Sequence, residues 1–170
     1  MKKLILGLLV FGFTSHIFAQ VITLPEIEIT TVNYKYLSAV DAHDSDFDVK
    51  MLEKAVAKFD VINSDYYSDE YDTYEVKFYI PDGYILAAYD ANGNILRTIE
   101  KFNNVKLPID VRDAVFSRFP NWTLKKDVYY VKYNQDVTRK IYKMIIEKDG
   151  KILRIKTDDK GYFLNEVIFK

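Results

Sequence analysis

Two hydrophobic periods follow one another along the chain, and their order predicts its architecture. From Phe47 to Val61 the apolar residues Val49, Leu52, Val56 and Phe59 recur at helical spacing, with Ala55 filling the gap, while Lys50, Glu53, Lys54 and Lys58 lie off the stripe. Period-two runs follow at Tyr74–Ile80, Tyr84–Tyr89 and Asn94–Phe102, separated by Pro81-Asp82-Gly83 and Asp90-Ala91-Asn92-Gly93. Such turns between apolar runs are hairpin signals, so a three-stranded meander is expected. A second helical stripe then runs through Val111, Ala114, Val115, the stem of Arg118 and Phe119, bounded by Pro108 and Pro120. After it come strand patterns at Asp127–Tyr133, Arg139–Glu147, Lys151–Thr157 and Tyr162–Phe169. Ahead of everything, Ile27 and Ile29 alternate with Glu26, Glu28 and Thr30, which predicts a strand beginning after Pro25. Residues 38–46 read as a polar connector in which Asp46 caps the first helix.

The two halves match. Ala55-Val56-Ala57-Lys58-Phe59 corresponds to Ala114-Val115-(Phe116)-Ser117-Arg118-Phe119. Asp82-Gly83-Tyr84-Ile85-Leu86 corresponds to Asp149-Gly150-Lys151-Ile152-Leu153, and Asp90-Ala91-Asn92-Gly93 to Asp158-Asp159-Lys160-Gly161. The second half adds a strand where the first has the acidic, tyrosine-rich segment 62–73. The expected fold is α+β: two tandem repeats, 46–104 and 105–170, each a helix on an antiparallel β-meander, preceded by an N-terminal strand and connector over 20–45.

A helix ending in Phe119-Pro120-Asn121-Trp122, followed by a meander with an Asp149-Gly150-Lys151-Ile152-Leu153 turn, resembles PepSY-like domains. More specifically it resembles the β-lactamase-inhibitor-like group of exported bacterial proteins, over roughly Asp46 to Lys170. The resemblance implies helices packed on an antiparallel sheet and a module that binds or inhibits other exported proteins without catalytic residues of its own. The chain departs from the disulfide-bonded tandem-repeat inhibitor in having no cysteine.

The N-terminus predicts export. Lys2-Lys3, the apolar run Leu4 to Phe13 and the small residue Ala19 form a signal-peptide pattern over 1–19, with the mature chain starting at Gln20. The run is too short to span a bilayer, so the mature product is expected in the periplasm or secreted, with no membrane span. Without Lys2 and Lys3 there remain 22 basic against 25 acidic residues, a formal charge of −3. That balance argues against a nucleic-acid partner. The lack of cysteine excludes thiol catalysis, disulfides and thiolate metal sites.

Catalytic patterns are missing. The mature chain has a single histidine, His43, in the polar connector, and no Gly-x-Ser-x-Gly, His-Glu-x-x-His or P-loop spacing. No catalytic residue, metal site or cofactor is therefore expected. Asp44-Ser45-Asp46-Phe47-Asp48 matches the start of a calcium loop, but Val49 and Ala55 stand where that loop needs Gly and Glu. A solvated connector running into a helix N-terminus is the stronger reading. A small-ligand or weak calcium-binding envelope protein stands as the alternative function.

The fourteen tyrosines direct attention to binding. Alternation on Tyr74–Ile80 buries Val76, Phe78 and Ile80 and turns Tyr79 outward. On Tyr84–Tyr89 we expect Leu86 and Ala88 inside, with Ile85, Ala87 and Tyr89 outside. Ile152, Arg154 and Lys156 are the matching outward positions of the second half. The candidate partner-binding residues are thus Tyr79, Tyr89, Ile85, Arg154 and Lys156, with Tyr66, Tyr67 and Tyr71 of the acidic segment as a contact loop. The alternative for these tyrosines is cross-strand pairing that only stabilises the sheet. The expected function is an exported, non-catalytic module that binds a protein or peptide through the exposed sheet face.

Overall fold

The computed structural model describes residues 33–41, 44–135, 137–164 and 168–169. Its helices are α1 (Tyr34–Val40), α2 (Phe47–Lys58) and α3 (Ile109–Arg118). Its strands are β1 (Thr73–Ile80), β2 (Gly83–Asp90), β3 (Ile95–Asn103), β4 (Thr123–Asn134), β5 (Thr138–Lys148), β6 (Lys151–Thr157) and β7 (Ile168–Phe169). The strands form one antiparallel sheet in sequence order, so the fold is α+β. The two predicted meanders are joined edge to edge by the β3–β4 pairing. The predicted signal segment, the strand around Ile27 and Ile29, and His43 lie outside the described residues.

The start of the described chain differs from the sequence expectation. Residues 38–40, expected in the polar connector, instead end a helix over Tyr34–Val40. Tyr36 and Val40, one helical turn apart, are both fully buried. Asn33, at φ 72°, fixes the entry. Its Nδ2 donates to the carbonyls of Ala57 (3.3 Å) and Gly93 (3.1 Å), and its Oδ1 accepts from the Ile95 amide (2.6 Å). One side chain therefore ties α1 to the end of α2 and to the β2–β3 turn.

The helices cover one face of the sheet. Asp46 caps α2 by accepting the Asp48 amide at 2.9 Å. Val49, Leu52 and Val56 then enter the core, each burial stabilising the fold by roughly 1.5–3 kcal/mol. Phe59, at the end of α2, sets its ring edge-on to Phe78 (5.3 Å) and tilted to Tyr89 (5.8 Å). Val111 and Val115 of α3 join the same core, and Phe119 packs edge-on to Trp122 at 6.2 Å. Trp122 is thus a packing residue at the helix end.

The two Gly-containing turns share one conformation. Asp90 accepts the amides of Asn92 and Asn94 on Oδ1, pairs its backbone with Asn94, and receives the Gly93 amide on its carbonyl. Asp158 does the same with Lys160, Tyr162 and Gly161. Gly93 (φ 79°) and Gly161 (φ 81°) supply the left-handed residue that each turn needs.

Candidate functional site

Pairing register decides what the other face of the sheet presents, because residues directly opposite in an antiparallel pair share a face. Tyr74 lies opposite Tyr89, Val76 opposite Ala87 and Phe78 opposite Ile85. Tyr89 and Ile85 are therefore in the core, both 0% exposed, and the expected outward placement of these two residues and Ala87 is corrected. The Tyr89 hydroxyl donates to the Val56 carbonyl at 2.8 Å, which satisfies it inside the core. Leu86 and Ala88 lie on the helix-free face instead.

The reason for the exchange is a one-residue offset. Gly150 sits inside the β5–β6 turn with φ 75°, whereas Gly83 is the first residue of β2. A Cβ on Gly83 would lie 2.3 Å from Cδ1 of Phe102, so this glycine is kept for close packing. Ile85 accordingly matches Leu153, a core residue, rather than the exposed Ile152.

On the helix-free face, neighbouring strands line up their side chains in rows. One row runs Lys77, Leu86, Ile99, Lys132, Arg139 from β1 to β5. The next runs Tyr79, Tyr84, Lys101, Tyr130, Ile141. A third joins Val128, Lys143 and Lys156, and Arg154 lies beside Ile145. Cations and apolar side chains are interleaved throughout. Lys77 lies 4.7 Å from the Tyr84 ring centre, and Lys143 (4.0 Å) and Lys101 (6.0 Å) sit over Tyr130. Three acids on the strands of this face are already engaged, Glu75 with Arg97 (2.6 Å), Glu147 with Lys125 (3.0 Å) and Asp90 with the Asn92 and Asn94 amides of its own turn. Among the described residues, Lys77, Lys101, Lys132, Arg139, Lys143, Arg154 and Lys156 have no carboxylate partner. A cleft of about 830 Å³ opens where this face meets the start of β5, bordered by the cations Arg139, Lys140, Lys143, Lys156 and Lys160 and by the acids Asp158 and Asp159.

The predicted residues therefore divide. Tyr79, 77% exposed, stands at one end of the face, and Arg154 and Lys156 stand at the other. Tyr66, Tyr67 and Tyr71 are elsewhere. Tyr67 stacks on Tyr74 (5.4 Å) and Tyr71 meets it edge-on (6.5 Å). The Tyr74 hydroxyl donates to the carbonyls of Ser68 and Tyr71. Tyr74 belongs to the core face, so the acidic segment wraps the helix side of β1 and is not continuous with Tyr79. Sequence reasoning missed Lys101, Tyr130, Lys132, Arg139 and Lys143. Their alternation with buried Tyr129, Val131, Tyr142 and Met144 was the available signal.

Two other polar groupings have structural roles. Asp46 Oδ2 accepts the Lys106 amide (2.9 Å) and Asp44 Oδ2 accepts that of Ile109 (3.2 Å), while Lys106 Nζ reaches Asp44 Oδ1 (3.1 Å). These carboxylates staple the start of α2 to the lead-in of α3. No group of three His, Asp or Glu side chains among the described residues could hold a metal. Inside the core, Glu53 of α2 and Glu100 of β3 are 1% and 0% exposed. Burial pushes Glu53 up to about 8, with repulsion from Glu100 adding to the shift; burial likewise raises Glu100 to about 7. Both are sealed from solvent and cannot touch a substrate.

No helix among the described residues is long and apolar enough to cross a membrane. No protein-family model matches the chain, so the resemblance to PepSY-like domains has no family match behind it, and no curated protein matches either. Among solved structures, a BLIP-like protein from Bacteroides fragilis NCTC 9343 aligns with a TM-score of 0.31 and 21% identity, over 58% of this chain and 76% of that one.

Proposed function

We propose that this chain is an exported, non-catalytic binding module that occupies a protein partner through the helix-free sheet face, in the manner of an inhibitor. One observation carries the reading: the face interleaves apolar and aromatic side chains with cations that lack carboxylate partners among the described residues. A sheet face that only faced water would be expected to mix both signs of charge, and large exposed residues such as Tyr79 and Ile99 would have no role there. The signal-peptide pattern at Lys2 to Ala19 supports a partner in the periplasm or outside the cell.

The test is site-specific photo-crosslinking in cells that export the full chain. A crosslinking amino acid replaces Lys132 on the face, or Lys54 on the exposed side of α2 as a control. A discrete adduct from position 132 that is absent from position 54 is the expected result. Equal labelling from both positions, or none from position 132 in folded protein, removes the sheet face as the site.

A further inference from the structure

Resting on that reading, we propose that the face is built for an acidic polypeptide segment with apolar residues interspersed among its carboxylates. The formal charge of the mature chain is mildly negative, yet its charges are segregated. The acids Asp65, Asp69, Glu70 and Asp72 cluster in the segment that wraps the helix side of β1, and Asp44, Asp46 and Asp48 surround the start of α2. The helix-free face carries seven cations without a carboxylate partner among the described residues, set between apolar side chains. An approaching chain thus meets a dense set of cations on this face, which steers acidic groups to it.

The spacing of the cations specifies more than charge. Along the row Lys77, Leu86, Ile99, Lys132, Arg139, two aliphatic residues separate the cations of β1 from those of β4 and β5. A ligand matching this row carries acids at its ends and apolar side chains between them. A polypeptide does so readily; a phosphate backbone does not. Base stacking is also disfavoured, because Lys143 and Lys101 already sit over the Tyr130 ring and Lys77 over Tyr84. The cleft at Arg139, Lys143 and Lys156 extends the cationic surface beyond the flat part of the sheet and takes a terminal carboxylate or an acidic side chain.

The inference is tested with the mature chain and fluorescent probes in direct titrations. The probes are a peptide alternating Glu and Asp with Val and Leu, poly-glutamate of equal charge, a thymidine oligonucleotide and phosphatidylglycerol vesicles. The mixed peptide is expected to bind most tightly and to weaken as salt rises. The pair Lys132→Glu and Arg139→Glu should weaken it about tenfold or more, given exposed charges acting together. Lys54→Glu with Lys58→Glu, which changes net charge equally on α2, should leave binding within about twofold. Tighter binding of the oligonucleotide or vesicles, or equal loss in both double variants, overturns the acidic-polypeptide assignment. Absence of peptide binding alongside a retained crosslink from position 132 overturns this inference and leaves the proposed function standing. Loss of that crosslink as well removes both.

Discussion

Replacing Glu53 by Gln should make the fold less sensitive to alkali, and the size of the effect follows from the burial of one carboxyl pair. Glu100 Oε1 accepts from Thr98 Oγ1 (2.7 Å) and the Tyr36 hydroxyl (3.0 Å), whereas Glu100 Oε2 and Glu53 Oε1 find no partner in the protein. Every element around the pair contributes a group: Tyr36 from α1, Thr98 from β3, Lys140 from β5, and Lys50 and Asp41 near the surface. Lys140 favours the charged forms, but burial outweighs it. Glu53 rises to about 8 and Glu100 to about 7 from an ordinary value of 4.5.

The folded protein therefore holds protons that the unfolded chain gives up near pH 4.5. Stability from this pair is complete below that pH and is lost as pH rises through about 7 to 8. Converted at about 1.4 kcal/mol per unit, ionising Glu53 alone removes on the order of 5 kcal/mol, a large share of a small domain's stability. Gln keeps the volume and cannot ionise. Urea unfolding followed by circular dichroism at pH 5.5 and pH 8.5 checks this. The unsubstituted chain should lose several kcal/mol across that interval. Glu53→Gln should lose less than half as much and stay within about 1 kcal/mol of the parent at pH 5.5. Asp127, also raised by burial to about 6, acts in the same direction in both proteins and cancels in the comparison. The reasoning fails if the parent is as stable at pH 8.5 as at pH 5.5. It fails equally if Glu53→Gln unfolds the protein at pH 5.5, since that would make a charged Glu53 the native partner of Lys140.

Four further outcomes follow from the same packing and turn geometry. Tyr89→Ala should destabilise by about 3–5 kcal/mol, because it empties a fully buried site and removes one of the two donors to the Val56 carbonyl, leaving only the Phe59 amide. Tyr79→Ala should shift stability by less than about 0.5 kcal/mol while weakening partner binding, so thermal melts separate the two tyrosines. Gly161→Ala should cost more than Gly150→Ala in chemical denaturation. Both glycines have positive φ, a penalty of about 1 kcal/mol, but a Cβ at Gly161 also lies 2.7 Å from the Asp110 carbonyl oxygen, and nothing lies within 4 Å at Gly150. Asp46→Ala should cost about 1–2 kcal/mol by releasing the amides of Asp48 and Lys106, and added calcium should not alter the melting temperature of the parent.

What could be read before folding was set by how local each determinant is. The helix stripe of α2, the strands on either side of Gly93 and the β5–β6 turn at Asp149-Gly150 depend on neighbours within a few residues, and all appear in the structure. The face of β2 departs from the expectation because Asp82-Gly83 and Asp149-Gly150 match in sequence but the two glycines differ in conformation. With only Pro81 and Asp82 between β1 and β2, counting outward from that turn sets Phe78 opposite Ile85 and Val76 opposite Ala87. Register was thus present in the sequence, through turn length rather than motif. Glu53 was misplaced for another reason. It lies four residues after Val49 and three before Val56, so helical geometry puts it on the buried stripe, and only its chemistry suggested otherwise.

The charge distribution needed the three-dimensional structure, and it changes what net charge excludes. A formal −3 sums over both sides of a molecule with acid clusters in the 62–72 segment and at the start of α2, while seven bases without a carboxylate partner among the described residues share the opposite sheet face. At physiological salt, charges separated by more than about 8 Å are largely screened from one another. A partner on the sheet face responds to Lys132, Arg139 and Lys143, not to Asp69 or Glu70 behind the core. Alternating cations with Tyr130, Ile141 and Ile145 on β4 and β5 keeps that surface both cationic and apolar. Whatever occupies it must answer both properties at once, and an acidic segment with apolar residues does so without leaving either kind of side chain unmatched.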